Sequence, residues 1–224
     1  SSSLVGSEMC IRDRVSTGPL TVNETVNARS NNLVQLTSAG NMQINAPVVS
    51  TALSTGSLGD GSGSLTLLAS TGSIDLASSL GSASASGTVS LTAQSGISLS
   101  AAASSIRTSG ALTVNADSNF DGTGDFDIAD ASATVNIANN TIDVDAADVQ
   151  FAGPLTGGTG QITLTPSNTS AVALGNPVGD FNLDNSDLAN ITTPNELSFG
   201  TNASSRIVDG VTVAATANIP GCVL

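Results

Sequence analysis

The chain has 224 residues, with 18 acidic side chains against five Arg, no Lys and no His, for a net charge of -13. Affinity for nucleic acid or an anionic membrane surface comes mainly from cations set against phosphates, so this balance argues against both partners. Without His, neither a Ser-His-Asp nor a Cys-His pair can activate a nucleophile. Five Phe with no Trp or Tyr leave little to stack on sugars, and no apolar stretch is long enough to span a membrane.

In chain order, residues 1–14 stand apart. Ser3-Leu-Val-Gly-Ser-Glu-Met-Cys-Ile-Arg-Asp-Arg14 resembles a translated sequencing-adapter artefact and has no counterpart further on. It lacks the apolar core and small-residue cleavage site of a signal peptide. The fold is therefore expected over 15–224, as one segment of a longer chain. Setting Cys10 aside leaves Cys222 alone, which permits neither a disulfide framework nor a CxxC metal spacing.

From Leu20 a short phrase recurs: Leu20-Thr-Val22, Met42-Gln-Ile44, Leu65-Thr-Leu67, Val89-Ser-Leu91, Leu112-Thr-Val114 and Val135-Asn-Ile137, at intervals of 22 to 24 residues. Each phrase is apolar-polar-apolar, the period-2 pattern of a strand with one buried face. A second column, Ile74, Ile97, Phe120 and Ile142, keeps the same step. Two columns on one period mark a structural repeat. The expected fold is all-β: a right-handed parallel β-helix of about 23 residues per coil, each coil rising ~4.8 Å. Ala46, Ala69, Ala93 and Ala116 fall four positions after the start of the phrase and are expected at tight corners. The five Phe are expected in the core.

The run Asp117-Ser-Asn119-Phe-Asp121-Gly122-Thr-Gly-Asp125 has the DxNxDG spacing that folds oxygen ligands around a hard cation. Asp117, Asn119, Asp121 and Asp125 are the candidate metal ligands, and calcium is the one candidate cofactor. At position 12 of the loop, where an EF-hand needs a bidentate Glu, stands Ile128. On a 23-residue period Asp121 should stack against Asp143, and Asp125 against Asp148, and like charges so placed repel. The bland alternative is an acidic turn between coils. Gly59-Asp-Gly-Ser-Gly63 and Gly157-Gly-Thr-Gly160 read as plain turns, the second lacking the Asp of a calcium-binding nonapeptide.

Polysaccharide-cleaving enzymes also use β-helices, but their sites need a basic residue or paired carboxylates in a groove. Asp143 and Asp145 alternate on one strand beside Asp148, the pattern of a solvated acidic face. No catalytic residue is assigned.

Residues 161–213 have more individuality. They read Ile162-Thr-Leu-Thr-Pro166, Ala173-Leu-Gly175, Phe181-Asn-Leu183-Asp-Asn-Ser-Asp187-Leu188-Ala-Asn-Ile191-Thr192, Leu197-Ser-Phe199-Gly200 and Ile207-Val-Asp-Gly210-Val. This order resembles a unit of the very large filamentous-haemagglutinin-like exoproteins of Gram-negative and related bacteria. There a leucine-threonine-proline strand and a leucine-glycine step precede an acidic-leucine-x-x-isoleucine-threonine segment; Asp187 stands where the family pattern has Glu. The resemblance implies a secreted or outer-surface protein, often exported by two-partner secretion, whose β-helix is an adhesive stalk. It supplies no catalytic residue. Partners would be glycans or proteins on host or neighbouring cells. Unpaired strand edges at uncapped ends would favour end-to-end association. A calcium-stiffened adhesin and a polysaccharide-acting enzyme are the alternatives.

Overall fold

The computed structural model describes residues 2–3, 13–27, 33–49, 63–82, 87–168, 170–175, 180–192, 195–200 and 211–213. Short strands stack into three long parallel sheets, and the chain is a parallel β-helix. Sheet I holds Asp13–Ser16, Val34–Ser38, Leu65–Ala69, Val89–Ala93, Leu112–Asn115, Ile142–Ala146, Gln161–Pro166 and Glu196–Phe199. Sheet II holds Ser2–Ser3, Leu20–Val22, Met42–Ile44, Ile74–Leu76, Ile97–Leu99, Phe126–Ile128 and Val149–Phe151. Sheet III holds Val26–Asn27, Val48–Val49, Ser79–Gly81, Ser105–Thr108, Thr134–Ile137, Leu155–Thr156 and Ile191–Thr192. From Asp13 to Pro166 the chain visits sheets I, II and III in strict rotation, one strand of each per coil.

The alternation read from the sequence sets which side chains enter the rod. In sheet I, Leu65, Val89, Leu112, Ile142 and Ile162 stack in register, and Leu67, Leu91, Val114, Val144 and Leu164 form a second inward column. In sheet II the columns are Leu20, Met42, Ile74, Ile97, Phe126, Val149 and Val22, Ile44, Leu76, Leu99, Ile128, Phe151. All of these are buried. Each such side chain removed from water contributes roughly 1.5–3 kcal/mol, but only stacking does the removing, because one coil has no second layer to close against. Phe126 and Phe151 meet edge to face with centroids 6.1 Å apart.

The corner between sheets I and II leaves room only for small side chains. Ser16, Ser38, Ala69 and Ala93 stack there in register, and the buried Ala116 and Ala146 continue the series. Ala46 belongs elsewhere: it follows a sheet II strand and is 8% exposed.

The observed register departs from a single 23-residue repeat. Leu20 and Met42 lie in sheet II, Leu65, Val89 and Leu112 in sheet I, and Val135 in sheet III. The interval of 23 holds from Val89 to Leu112, but Leu112 sits beside Ile142, 30 residues on, and Ile142 beside Ile162, only 20 on. The longer coil contains the acidic run, whose insertion carries Phe120 out of the core: it is 51% exposed, with a left-handed φ of 60°. Phe126, Phe151 and Phe181 are buried as expected, and Phe199 packs against the core partly buried. Asp13 and Arg14, the end of the stretch set aside, pair with Gln35 and Leu36 in sheet I. Gly63 apart, the Gly59–Gly63 turn lies outside the described residues, as do Cys10 and Cys222.

Past Pro166 the rotation changes. Phe181–Leu183 pairs with Val172–Leu174, which also pairs with Val211–Val213. A six-residue helix, Asn185–Asn190, then leads into the last strand of sheet III.

Candidate functional site

Sheet II ends at Val149–Phe151. The next coil lays Phe181–Leu183 and the helix Asn185–Asn190 beside this strand without continuing its ladder. A buried backbone N–H or C=O left unpaired is costly, and here side chains satisfy both. Asp187 Oδ1 accepts the Phe151 N–H at 2.7 Å, and Asn190 Nδ2 donates to the Phe151 carbonyl at 2.5 Å. Asp148 Oδ1 accepts the Asn182 N–H at 2.8 Å and that of Val149 at 2.9 Å. Three side chains thus stand in for a strand.

The local sequence explains the placement. Asp184-Asn-Ser-Asp187 is a capping box: Asp184 accepts from Ser186 N (2.6 Å) and Asp187 N (2.9 Å), and Asp187 Oδ2 accepts from Asp184 N at 3.0 Å. Leu188, fully buried, pins the turn to the core. Asp187 and Asn190 are three apart and so share one helix face. Asp187 therefore serves twice, one oxygen closing the helix start and the other closing the sheet edge.

Around the break lies a cleft of about 770 Å³ whose lining includes Asp127, Asp148, Gln150, Asn182, Asp184 and Asp187 and, among the described residues, no Lys or Arg. Burial, reinforced by the charges of Asp125, Asp148 and Asp187, pushes Asp127 up to about 6. Burial also raises Asp148 and Asp187, against the N–H groups they accept. Asp184 is lowered, chiefly by the Ser186 hydroxyl and by the N–H groups it caps. The Asp127 Oδ1 atom is shielded from solvent and has no hydrogen-bond partner. Among the described residues that line it, the site holds several carboxylates close together and no compensating cation.

The four sequence candidates are divided. Asp117 is buried and accepts from Asp121 N (3.2 Å), Gly122 N (2.9 Å) and the Ser167 hydroxyl (2.5 Å), which lies two coils on. Asp121 is exposed and accepts from Asn119 Nδ2 at 2.6 Å and from Thr123 N and Oγ1 at 3.1 and 2.5 Å; these bonds lower its pKa. Both carboxylates, with Asn119, organise the loop itself. Among the described residues, no three His, Cys, Asp or Glu side chains are grouped so as to hold a metal ion.

The expected Asp121–Asp143 stack does not form, because Asp143 is in register with Thr113 and Thr163 while Asp121 rides in the inserted loop. Asp125 and Asp148 do lie one coil apart, each just before the paired residues Phe126 and Val149, and burial raises both. The reading of Asp143 and Asp145 as a solvated face fails for Asp145, which is only 7% exposed. The bridging by Asp187 and Asn190 lies beyond what the sequence pattern predicts. Its visible signal was the capping box Asp184-x-x-Asp187 placed directly before an apolar Leu188. Comparison of the chain with protein-family models, with curated proteins and with solved structures found no match.

Proposed function

We propose that this chain is a structural and adhesive stalk segment of a secreted or surface-exposed filamentous bacterial adhesin, without catalytic activity of its own. The observation that carries the reading is the continuity of the three parallel ladders. Inward positions are aliphatic coil after coil, while outward ones such as Thr66, Ser90, Thr113 and Asp143 are short and polar. Such a sequence is spent on stacking, and eight strands at ~4.8 Å make a rod about 34 Å long in sheet I. Loops and the outer face remain for contact with glycans or proteins of host or neighbouring cells. Export by two-partner secretion follows from the resemblance of the 161–213 unit.

The test is adhesion without turnover. Fluorescent beads coated with the whole chain should bind epithelial or bacterial cells above albumin-coated beads. The same protein should release no reducing ends from pectin, glycosaminoglycan or bacterial exopolysaccharide. Turnover of any of these, with no adhesion, would overturn the reading.

A further inference from the structure

We propose that the cleft at the break in sheet II, with the groove running from it along the sheet's outer face, docks an extended cationic segment of a partner protein that carries Lys or Arg at every third residue. The inference does not depend on the rod being an adhesin.

A second, smaller depression of about 170 Å³ continues the cleft toward the earlier coils; its lining includes Asp75, Ser98, Asp125 and Asp127. Asp127 borders both. Along this track Asp75, Ser98, Asp127 and Gln150 are in register on four successive strands and point outward, since their neighbours in each strand fill the core. Strands are ~4.8 Å apart, so Asp75 and Asp127, two steps apart, are separated by about 9.6 Å. A polyproline II segment rises ~3.1 Å per residue with three residues per turn. Every third side chain therefore returns to the same face after about 9.3 Å. A cation over Asp75 would be followed by one over Asp127, and a third would reach the break beside Asp148 and Asp187.

The carboxylates are strung along the rod, which suits a chain of cations better than a single ion. The Ser98 hydroxyl and the Gln150 amide between them can bond the peptide backbone of an occupant. Charge complementarity is one-sided: among the described residues, neither depression has a Lys or Arg in its lining. A second copy of this chain is a poor source of the occupant, with five Arg and no Lys in 224 residues. The upward shift of Asp127 has the same origin, burial among unneutralised carboxylates, and a neighbouring cation would reverse it.

The test uses a fluorescein-labelled peptide of four Lys-Pro-Pro repeats, titrated with the whole chain at low salt in EDTA and followed by fluorescence anisotropy. Saturable binding is expected. Asp75→Asn and Asp127→Asn should each weaken it about fivefold, as expected for loss of one partly screened charge pair. Glu24→Gln, an equal charge change at an exposed residue two coils before Asp75 and four before Asp127, should leave it within about twofold. A peptide of the same composition with its four Lys contiguous should bind several-fold more weakly. Thermal melts of each variant confirm that the rod is intact. Absence of saturable binding, an equal loss in Glu24→Gln, or equal affinity for the contiguous peptide would each overturn the proposal.

Discussion

Replacing Asp187 by Ala removes the carboxylate that accepts the Phe151 N–H at 2.7 Å and the Asp184 N–H at 3.0 Å. Hydrogen bonds to a charged group contribute about 1.5–3 kcal/mol each, and the second of these is also part of a helix cap. Against this, removing one carboxylate relieves repulsion on Asp127 and Asp148, worth about 1 kcal/mol at a half-exposed site. The balance is a loss of about 2–5 kcal/mol, confined to the break because the coils below keep their ladders. Hydrogen exchange by NMR resolves this location. The Phe151 amide should lose protection by at least about 30-fold, while the Val135 amide, bonded to the Pro154 carbonyl in sheet III, should keep its own. Asp187→Asn, which retains an acceptor oxygen, should fall between. Unchanged protection at Phe151 in Asp187→Ala would refute the claim that this side chain replaces a strand. A uniform loss across all three sheets would refute its confinement.

Stability should fall as pH rises toward neutrality, the reverse of the usual trend for paired carboxylates. Asp125, Asp127, Asp143, Asp148 and Asp187 all have raised folded pKa values, so the stability they allow is full below the unfolded value and lost as pH rises through the folded one. For Asp127, raised to about 6, solvent screening reduces the effect to about 1 kcal/mol. The melting temperature should be a few degrees higher at pH 4.5 than at 7.5, and Asp127→Asn should narrow the difference; a higher value at pH 7.5 would contradict this. Asp121 and Asp184, whose pKa values are lowered, act only at lower pH, outside this interval. Leu91→Ala, fully buried between Leu67 and Val114, should cost about 3 kcal/mol by urea denaturation, whereas Thr92→Ala, on the outward face of the same strand, should cost under about 1 kcal/mol. Gly124→Ala would place a Cβ 2.1 Å from the Ala116 carbonyl oxygen, so it should lower the melting temperature by several degrees while leaving the circular dichroism spectrum of the rod unchanged.

Much of this architecture was legible because burial follows a period of two. The phrases at Leu65, Val89 and Leu112 gave the correct inward residues, and their equal spacing gave parallel stacking. The assignment of phrases to sheets was not legible. All three sheets use the same apolar-polar-apolar phrase, so Leu20, Leu65 and Val135 look alike although each belongs to a different wall of the rod. An insertion between Asn115 and Phe126 then shifts the frame without disturbing the apparent period, which is how Phe120 came to be counted with Ile97. The site was hidden for a different reason. Asp117 and Asp121 have ligand spacing along the chain, but chain spacing does not show that their oxygens are taken by local N–H and hydroxyl donors. The carboxylates that do gather, Asp125, Asp127, Asp148 and Asp187, come from three different coils. Only the three-dimensional register brings them together.

That register is the central claim, and disulfide cross-linking tests it most directly. Outward neighbours on adjacent parallel strands lie ~4.8 Å apart, within the Cα separation a disulfide accepts. With Cys10 and Cys222 replaced by Ser, Thr113→Cys combined with Asp143→Cys places the two thiols in register. Thr113→Cys combined with Asn136→Cys places them on different sheets, although a strict 23-residue period would pair them. Under mild oxidation, mass spectrometry should find an intramolecular disulfide in the first protein and free thiols in the second. A disulfide in the second and not in the first would restore the uniform 23-residue coil and dissolve the carboxylate-lined break with it.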